Sequence, residues 1–311
     1  MSDATGKLAL LFPGQGSQRV GMGAELAREF DVAKRTFDEA DDALGFRLSK
    51  ICFEGPEDEL TLTATTQPAI LANSIAVLRT LQAERGLGAF DAVAGHSLGE
   101  WSALVAAGAI EFRDALRLVR LRGQAMQEAV PAGQGGMAAI MGLQLDAVTA
   151  CCTDAAEGGV VSPANMNGAG QIVIAGHAAA VERAVALAKE RGGKAKILTV
   201  SAPFHCALMA PAAERVEEAL ASVELHDPKV PVVTNVEAAP NTSGSRIAGL
   251  LVRQITAPVR WEASVLRLAE LGVTKGLELG SGKVLAGLVK RIAPSIEVTT
   301  IGEPHEVKAW G

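Results

Sequence analysis

The amino-acid sequence predicts an α/β fold in two parts, a larger domain built on a mostly parallel sheet and a smaller unit inserted into it. Two observations carry this reading. Short apolar runs alternate with helix-period segments in the first 130 residues, which is the pattern of strands joined by helical crossovers. From about residue 136 the order changes to β-α-β-β-α-β, the ferredoxin-like pattern of a small module. The chain has 311 residues, 49% apolar and 21% charged, which is a globular balance with ample material for a buried core.

Residues 8–12 form an apolar run stopped by Pro13-Gly14, which reads as a buried strand. A glycine-rich loop follows, then a helix over 23–30. Residues 67–81 read as a helix with Ile70, Ser74, Val77 and Leu81 along one face. A second short strand is expected at 91–94, an alanine- and leucine-rich helix at 97–107, and another helix from about 112. In the middle of the chain, strands are expected at 136–143, 159–165, 171–175 and 195–200, with helices at 146–156 and 178–191. The glycine-rich flank 131–136 and the segment 201–203 read as hinges. The expected division is therefore residues 1–130 with 202–311 as one domain and 131–201 as the insertion.

Charge and cysteine usage exclude several classes. The formal net charge is −6, so no general basic footprint exists for nucleic acid or an anionic membrane. An acidic partner would have to meet a local patch, for which Lys194, Lys196, Lys283, Lys290 and Arg291 are candidates. The four cysteines show no metal-ligand spacing, and Cys151 and Cys152 are adjacent; all four are read as reduced thiols. No apolar stretch reaches the roughly 18 residues of a membrane span, and the start, with Asp3, does not resemble a signal peptide. A cytoplasmic protein is expected.

Gly95-His96-Ser97-Leu98-Gly99 fits the nucleophile elbow, a sharp strand-to-helix turn that pushes a serine Oγ out of the fold. Such a pattern arises by chance in a chain with 33 glycines. Here it has the required setting, with a strand before it and a helix after it. Free N–H groups at that helix start favour a developing oxyanion. A serine nucleophile needs a base, and the chain has five histidines. His96 is inside the elbow and faces elsewhere if Ser97 faces out. His177, His226 and His305 read as surface residues. His205 follows Ala202-Pro203-Phe204 in a loop after a strand, where catalytic groups collect. Arg122 shares its helix with arginines 113, 117 and 120; most of these read as solvated, but one facing inward can clamp a carboxylate through two parallel bonds. Two nucleotide-binding readings fail. Gly14-x-Gly16 is followed by Arg19 where a third glycine belongs, and Gly280-Ser-Gly-Lys283 has Leu277 and Val284 in place of the required glycine and hydroxyl.

Together these segments resemble the malonyl-CoA:acyl carrier protein transacylases. The resemblance rests on Phe12-Pro-Gly-Gln-Gly-Ser-Gln18, Gly95-His-Ser-Leu-Gly-Glu100, Arg122 25 residues after the serine, Phe204-His205, Gln254 in Val252-Arg-Gln254, and the 280–285 segment. It runs from about residue 8 to about 301. It implies an α/β-hydrolase-like domain with an inserted ferredoxin-like subdomain. It implies Ser97 as the nucleophile, His205 as the base, and the main-chain carbonyl of Gln254 as the group that orients the base. The N–H groups of Gln15 and Leu98 would form the oxyanion hole. Arg122 would pair with the malonyl carboxylate, with Phe204 and His96 also at the substrate. No metal or cofactor is implied; malonyl-CoA and the phosphopantetheinyl carrier protein are substrates in a ping-pong transfer that supplies fatty-acid biosynthesis. A chain with no fused domain is expected to serve the dissociated fatty-acid system. The departures are Trp101, where tyrosine is commoner, and the absence of tyrosine from the chain. A serine hydrolase using the same Ser97–His205 pair is the competing reading, and Arg122 argues against it.

Overall fold

The computed structural model describes residues 6–311, so Asp3 and the first residues of the expected larger domain lie outside it. Among the described residues ten strands occur in chain order: β1 (Lys7–Phe12), β2 (Ala92–Gly95), β3 (Gly135–Met141), β4 (Val161–Gly168), β5 (Gln171–His177), β6 (Lys194–Leu198), β7 (Val232–Val233), β8 (Pro240–Asn241), β9 (Val273–Leu279) and β10 (Glu297–Ile301). They build two sheets. Six strands take the order β10-β9-β1-β2-β7-β8, parallel throughout except for the β7–β8 pair. Four strands take the order β4-β5-β3-β6, all antiparallel. The mixed α/β fold expected from the alternation is what the chain adopts.

Burial explains the first sheet. In β1 the run Ala9 to Phe12 is fully buried, and β2 is buried throughout, because helices cover both faces of a parallel sheet. The helix Thr63–Arg85 departs from the one-faced helix expected at 67–81. It begins four residues earlier, ends four later, and is buried on all sides from Thr65 to Leu78. An all-round buried helix carries no amphipathic stripe, so periodicity understates its length. The helix Phe112–Glu128 crosses it closely at Gly123, where an added Cβ would lie 2.5 Å from the Thr63 carbonyl oxygen. That approach turns Arg122, the preceding residue, toward Gln67 in the neighbouring helix.

The patterns above assign no element beyond residue 200, although β7 to β10 and several helices follow. β7 has two residues, too few to show a period. β9 reads poorly because it buries Glu278, whose carboxylate accepts the N–H groups of Leu285 and Ala286 at the start of the helix Val284–Ile292. The four cysteines are buried and unbridged. Among the described residues no helix is long and apolar enough to cross a membrane.

Two glycine substitutions test this packing. At Gly99 a Cβ would lie 2.0 Å from the Phe12 carbonyl oxygen, so Gly99→Ala should cost roughly 3 kcal/mol or more through backbone displacement. Gly249 is exposed inside the helix Ile247–Thr256 with open space around it, so Gly249→Ala should add up to about 1 kcal/mol. Urea-unfolding midpoints should move in opposite directions for the two variants.

Candidate active site

The turn from β2 into the helix Leu98–Ala106 carries Ser97 at φ 50°, ψ −104°, a conformation that L-residues seldom adopt. Two glycines make it possible by contact of bare backbone. A Cβ at Gly95 would sit 2.0 Å from the Gly99 carbonyl, and one at Gly14 would sit 2.4 Å from the His96 oxygen. The turn is clamped by Asn235, whose Oδ1 accepts the Ser97 N–H at 2.7 Å while its Nδ2 donates to the Gly95 carbonyl at 2.7 Å. Asn235 arrives there because β7 pairs with β2 in parallel register, Val93 with Val232 and Ala94 with Val233.

Ser97 Oγ lies 2.8 Å from His205 Nε2. His205 Nδ1 lies 2.8 Å from the Gln254 carbonyl, which can only accept, so Nδ1 carries the proton and Nε2 presents its lone pair to the serine. Gln254 sits in the last turn of the helix Ile247–Thr256, where carbonyls lack intrahelical partners, so this oxygen is free for the histidine. The negative end of that helix also favours an imidazolium as it forms. His205 is buried, and burial followed by the nearby Arg122 cation pushes its pKa down to about 3. It is a neutral base at pH 7.

Arg122 is 1% exposed. Its Nη1 donates to Gln67 Oε1 at 2.7 Å, and its Nη2 to Gln254 Oε1 at 3.0 Å and Ser97 Oγ at 3.2 Å. Its Nε has no partner among the described residues. Burial lowers its pKa to about 10, which leaves it a cation at neutral pH. Glu100 stands behind it, also buried, with a pKa raised to about 7 by burial against the opposing pull of its hydrogen bonds from Asn235 and Gln254 and of Arg122.

These groups open onto a cavity of about 700 Å³, of the size that encloses a small-molecule ligand. Gln15, Ser97, Arg122, Phe204 and His205 line it from the six-stranded part, and Met137, Val173 and Leu198 from the four-stranded unit. The N–H groups of Gln15 and Leu98 make no hydrogen bond to any described residue; Gln15 lines the cavity with Ser97, and Leu98 follows Ser97 at the helix start. His96 does not point away: it lines the cavity, with Nε2 2.9 Å from Asn167 Oδ1, and burial lowers its pKa. His177 is half-buried, accepting the Val160 N–H, whereas His226 and His305 are exposed as expected. Arg117 and Arg120 reach the Ala43 and Leu44 carbonyls at the outer surface.

The eight residues expected at the site, Gln15, His96, Ser97, Leu98, Arg122, Phe204, His205 and Gln254, lie together. Gln67, Asn167 and Asn235 were not anticipated, and Glu100 was noted only as part of the elbow motif. They are side chains with no spacing signal of their own; strand pairing alone could have suggested Asn235.

The acyl transferase domain profile matches residues 9–299. The malonyl CoA-acyl carrier protein transacylase of Escherichia coli K12 is 49% identical over 304 residues, spanning 97% of this chain and 98% of that protein. A crystal structure of an acyl carrier protein S-malonyltransferase from Vibrio cholerae superposes with a TM-score of 0.95 at 49% identity, covering 97% and 99% of the two chains. A malonyl-transacylase solved in complex with its type II PKS acyl-carrier protein superposes with a TM-score of 0.94 at 47% identity, covering 97% and 98%.

The depressed pKa of His205 yields a pH prediction. Between about 3 and the unfolded value of 6.5 the unfolded chain binds a proton that the folded chain refuses. This contribution to stability is full above 6.5 and is lost as pH falls toward 3; His96 acts with the same sign, whereas Glu100 acts oppositely between 4.5 and about 7. His205→Asn should therefore flatten the decline in urea midpoint between pH 6.5 and 5. Identical slopes for variant and wild type would mean that His205 titrates normally.

Proposed function

The chain belongs to the malonyl-CoA:acyl carrier protein transacylase family and is an acyltransferase; from that premise we propose that it moves malonyl from malonyl-CoA to the phosphopantetheine thiol of acyl carrier protein through a malonyl ester on Ser97. The observation that carries the reading is the buried Arg122 guanidinium, 3.2 Å from Ser97 Oγ on the wall of the cavity. A cation enclosed there suits an acyl group bearing its own carboxylate, and it has no counterpart in the needs of a simple hydrolase.

The steps follow from the atoms. His205 Nε2 takes the Ser97 hydroxyl proton as Oγ attacks the thioester carbon. The oxyanion of the tetrahedral intermediate is received by the Gln15 and Leu98 N–H groups, with the positive end of the Leu98–Ala106 helix behind them. The C–S bond breaks and the departing CoA sulfur takes the proton from His205. In the second half the carrier thiol gives its proton to the same nitrogen and attacks the ester, and Ser97 Oγ leaves with the proton restored. Arg122 pairs the malonyl carboxylate throughout, and its charge near Oγ also eases the developing alkoxide. Gln254 holds the base through its carbonyl, so the third member of the triad is not an acid.

In this reading the six-stranded part, residues 1–130 and 202–311, is the α/β-hydrolase-like domain, and 131–201 is the ferredoxin-like subdomain; the antiparallel order β4-β5-β3-β6 supports it. The subdomain closes one side of the cavity through Met137, Val173 and Leu198. No metal or cofactor enters any step. The pathway served is fatty-acid biosynthesis in the cytoplasm. For the acidic carrier, Lys194 and Lys196 lie on β6, and Lys290 and Arg291 on the helix that packs against β4. These exposed charges stand at opposite edges of the four-stranded sheet, with Lys283 at the start of that helix.

Incubation with radiolabelled malonyl-CoA should leave one label on the tryptic peptide containing Ser97, discharged by carrier protein and absent from Ser97→Ala. Label on the alanine variant would assign the nucleophile elsewhere. Arg122→Ala should raise the barrier to malonyl transfer by roughly 2–5 kcal/mol while sparing acetyl transfer, because only malonyl leaves a charge unpaired. An unchanged malonyl-to-acetyl ratio would return the site to the hydrolase reading. Phe204, buried against the cavity, fills the space a 2-methyl branch needs, so Phe204→Ser should improve relative use of methylmalonyl-CoA in competition assays.

A further inference from the structure

Glu100 is 1% exposed and forms no ion pair among the described residues. Both hydrogen bonds it accepts fall on a single oxygen, Oε2: from Gln254 Nε2 at 2.6 Å and from the Asn235 N–H at 3.1 Å. Each donor is a branch point of the site. The Gln254 amide nitrogen also reaches the Ser97 carbonyl at 3.1 Å, while its oxygen accepts Arg122 Nη2 at 3.0 Å. Asn235 clamps the elbow from both sides through its own amide.

A carboxamide has nearly the same shape either way round, so a buried glutamine is oriented only by what faces its two ends. Turned over, Gln254 would set its NH₂ against the Arg122 guanidinium, donor against donor, and Arg122 would lose the partner that aims Nη2 at the serine. Oε2 of Glu100 already accepts the Asn235 N–H and stays an acceptor whether or not the other oxygen carries a proton, so it excludes that orientation by demanding the donor end of the amide.

We propose that Glu100 is a positioning residue: through Oε2 it holds the Gln254 amide and the Asn235 backbone in one arrangement, and so sets the Arg122 guanidinium and the Ser97 elbow in register with each other. It does not touch the substrate. The inference rests on the reading of Ser97 as nucleophile and Arg122 as the carboxylate-binding group, and it goes beyond that reading by adding the group that keeps the two aligned.

The test compares malonyl-CoA and acetyl-CoA as donors, with carrier protein as acceptor, in wild type, Glu100→Gln, Glu100→Met and Gln254→Met. It adds the Glu100→Met, Gln254→Met double variant. A glutamine at 100 can place its amide oxygen where Oε2 lies and still accept both bonds; a methionine of similar volume accepts neither. Glu100→Met should lower the malonyl-to-acetyl ratio of kcat/KM about tenfold, Glu100→Gln should stay within about threefold of wild type, and the double variant should be no worse than Gln254→Met alone. Labelling of Ser97 by a fluorophosphonate probe, which needs no malonyl group, should follow the same order.

Equal losses in the glutamine and methionine variants would overturn the proposal, because charge and not hydrogen bonding would then matter. So would a methionine variant whose ratio matches wild type, or losses that add in the double variant. If the methionine variant does not fold, Glu100→Gln decides alone: a wild-type ratio supports the proposal and a tenfold lower one overturns it. Probe labelling that follows the expected order across the variants, with a wild type that transfers no malonyl, would sink the functional reading while leaving the role of Glu100 standing.

Discussion

Between Gly95 and Gly99 the backbone packs on itself with no space for a β carbon, and the helix start that follows packs on the end of β1 in the same way. Ser97 sits at the apex in a positive-φ conformation that its neighbours impose. That contact ties three things together. It exposes Oγ on the surface of an otherwise buried turn, it aims the start of the Leu98–Ala106 helix at the same point, and it brings the Gln15 loop alongside, since β1 and β2 are paired in register up to Phe12 and Gly95. Anything that separated these backbones would take Ser97 Oγ, the helix dipole and the free N–H groups out of alignment at once.

The second layer is a polar network enclosed in an apolar core. A guanidinium, a carboxyl group, the His205 imidazole and three carboxamides, those of Gln67, Asn235 and Gln254, are buried within one connected set of hydrogen bonds. Burial acts on each with the sign its charge dictates: it lowers His205 and Arg122 and raises Glu100. The base is kept neutral while the cation keeps its charge because an arginine starts so far above neutrality. Such a network is costly unless satisfied, and among the described residues nearly every donor in it is taken, with Arg122 Nε left over.

Some features were legible along the chain because they are local. The elbow shows itself as glycines two residues either side of a serine after an apolar run, and the four-stranded unit as a change of period near residue 136. β4 runs on to Gly168 and β6 stops at Leu198, small shifts at ends where pairing partners and not propensity decide. The C-terminal third was not legible: β7 is too short, and β9 contains a buried glutamate that a pattern reading takes for surface.

By itself the sequence singled out Ser97 through the elbow pattern and His205 through its loop after a strand, and its family resemblance added Arg122. Only the tertiary structure decided how they are held. Gln67 and Arg122 are 55 residues apart, and Ser97 and Asn235 are 138 apart. The residues that join them are neutral amides and one carboxylate with no periodicity or spacing to mark them. Their roles come from strand register, from a helix crossing allowed by Gly123, and from a helix end that leaves the Gln254 carbonyl free. Those are contacts between distant segments, and a side chain acquires its hydrogen-bond partners only when the folded backbone has brought them within reach.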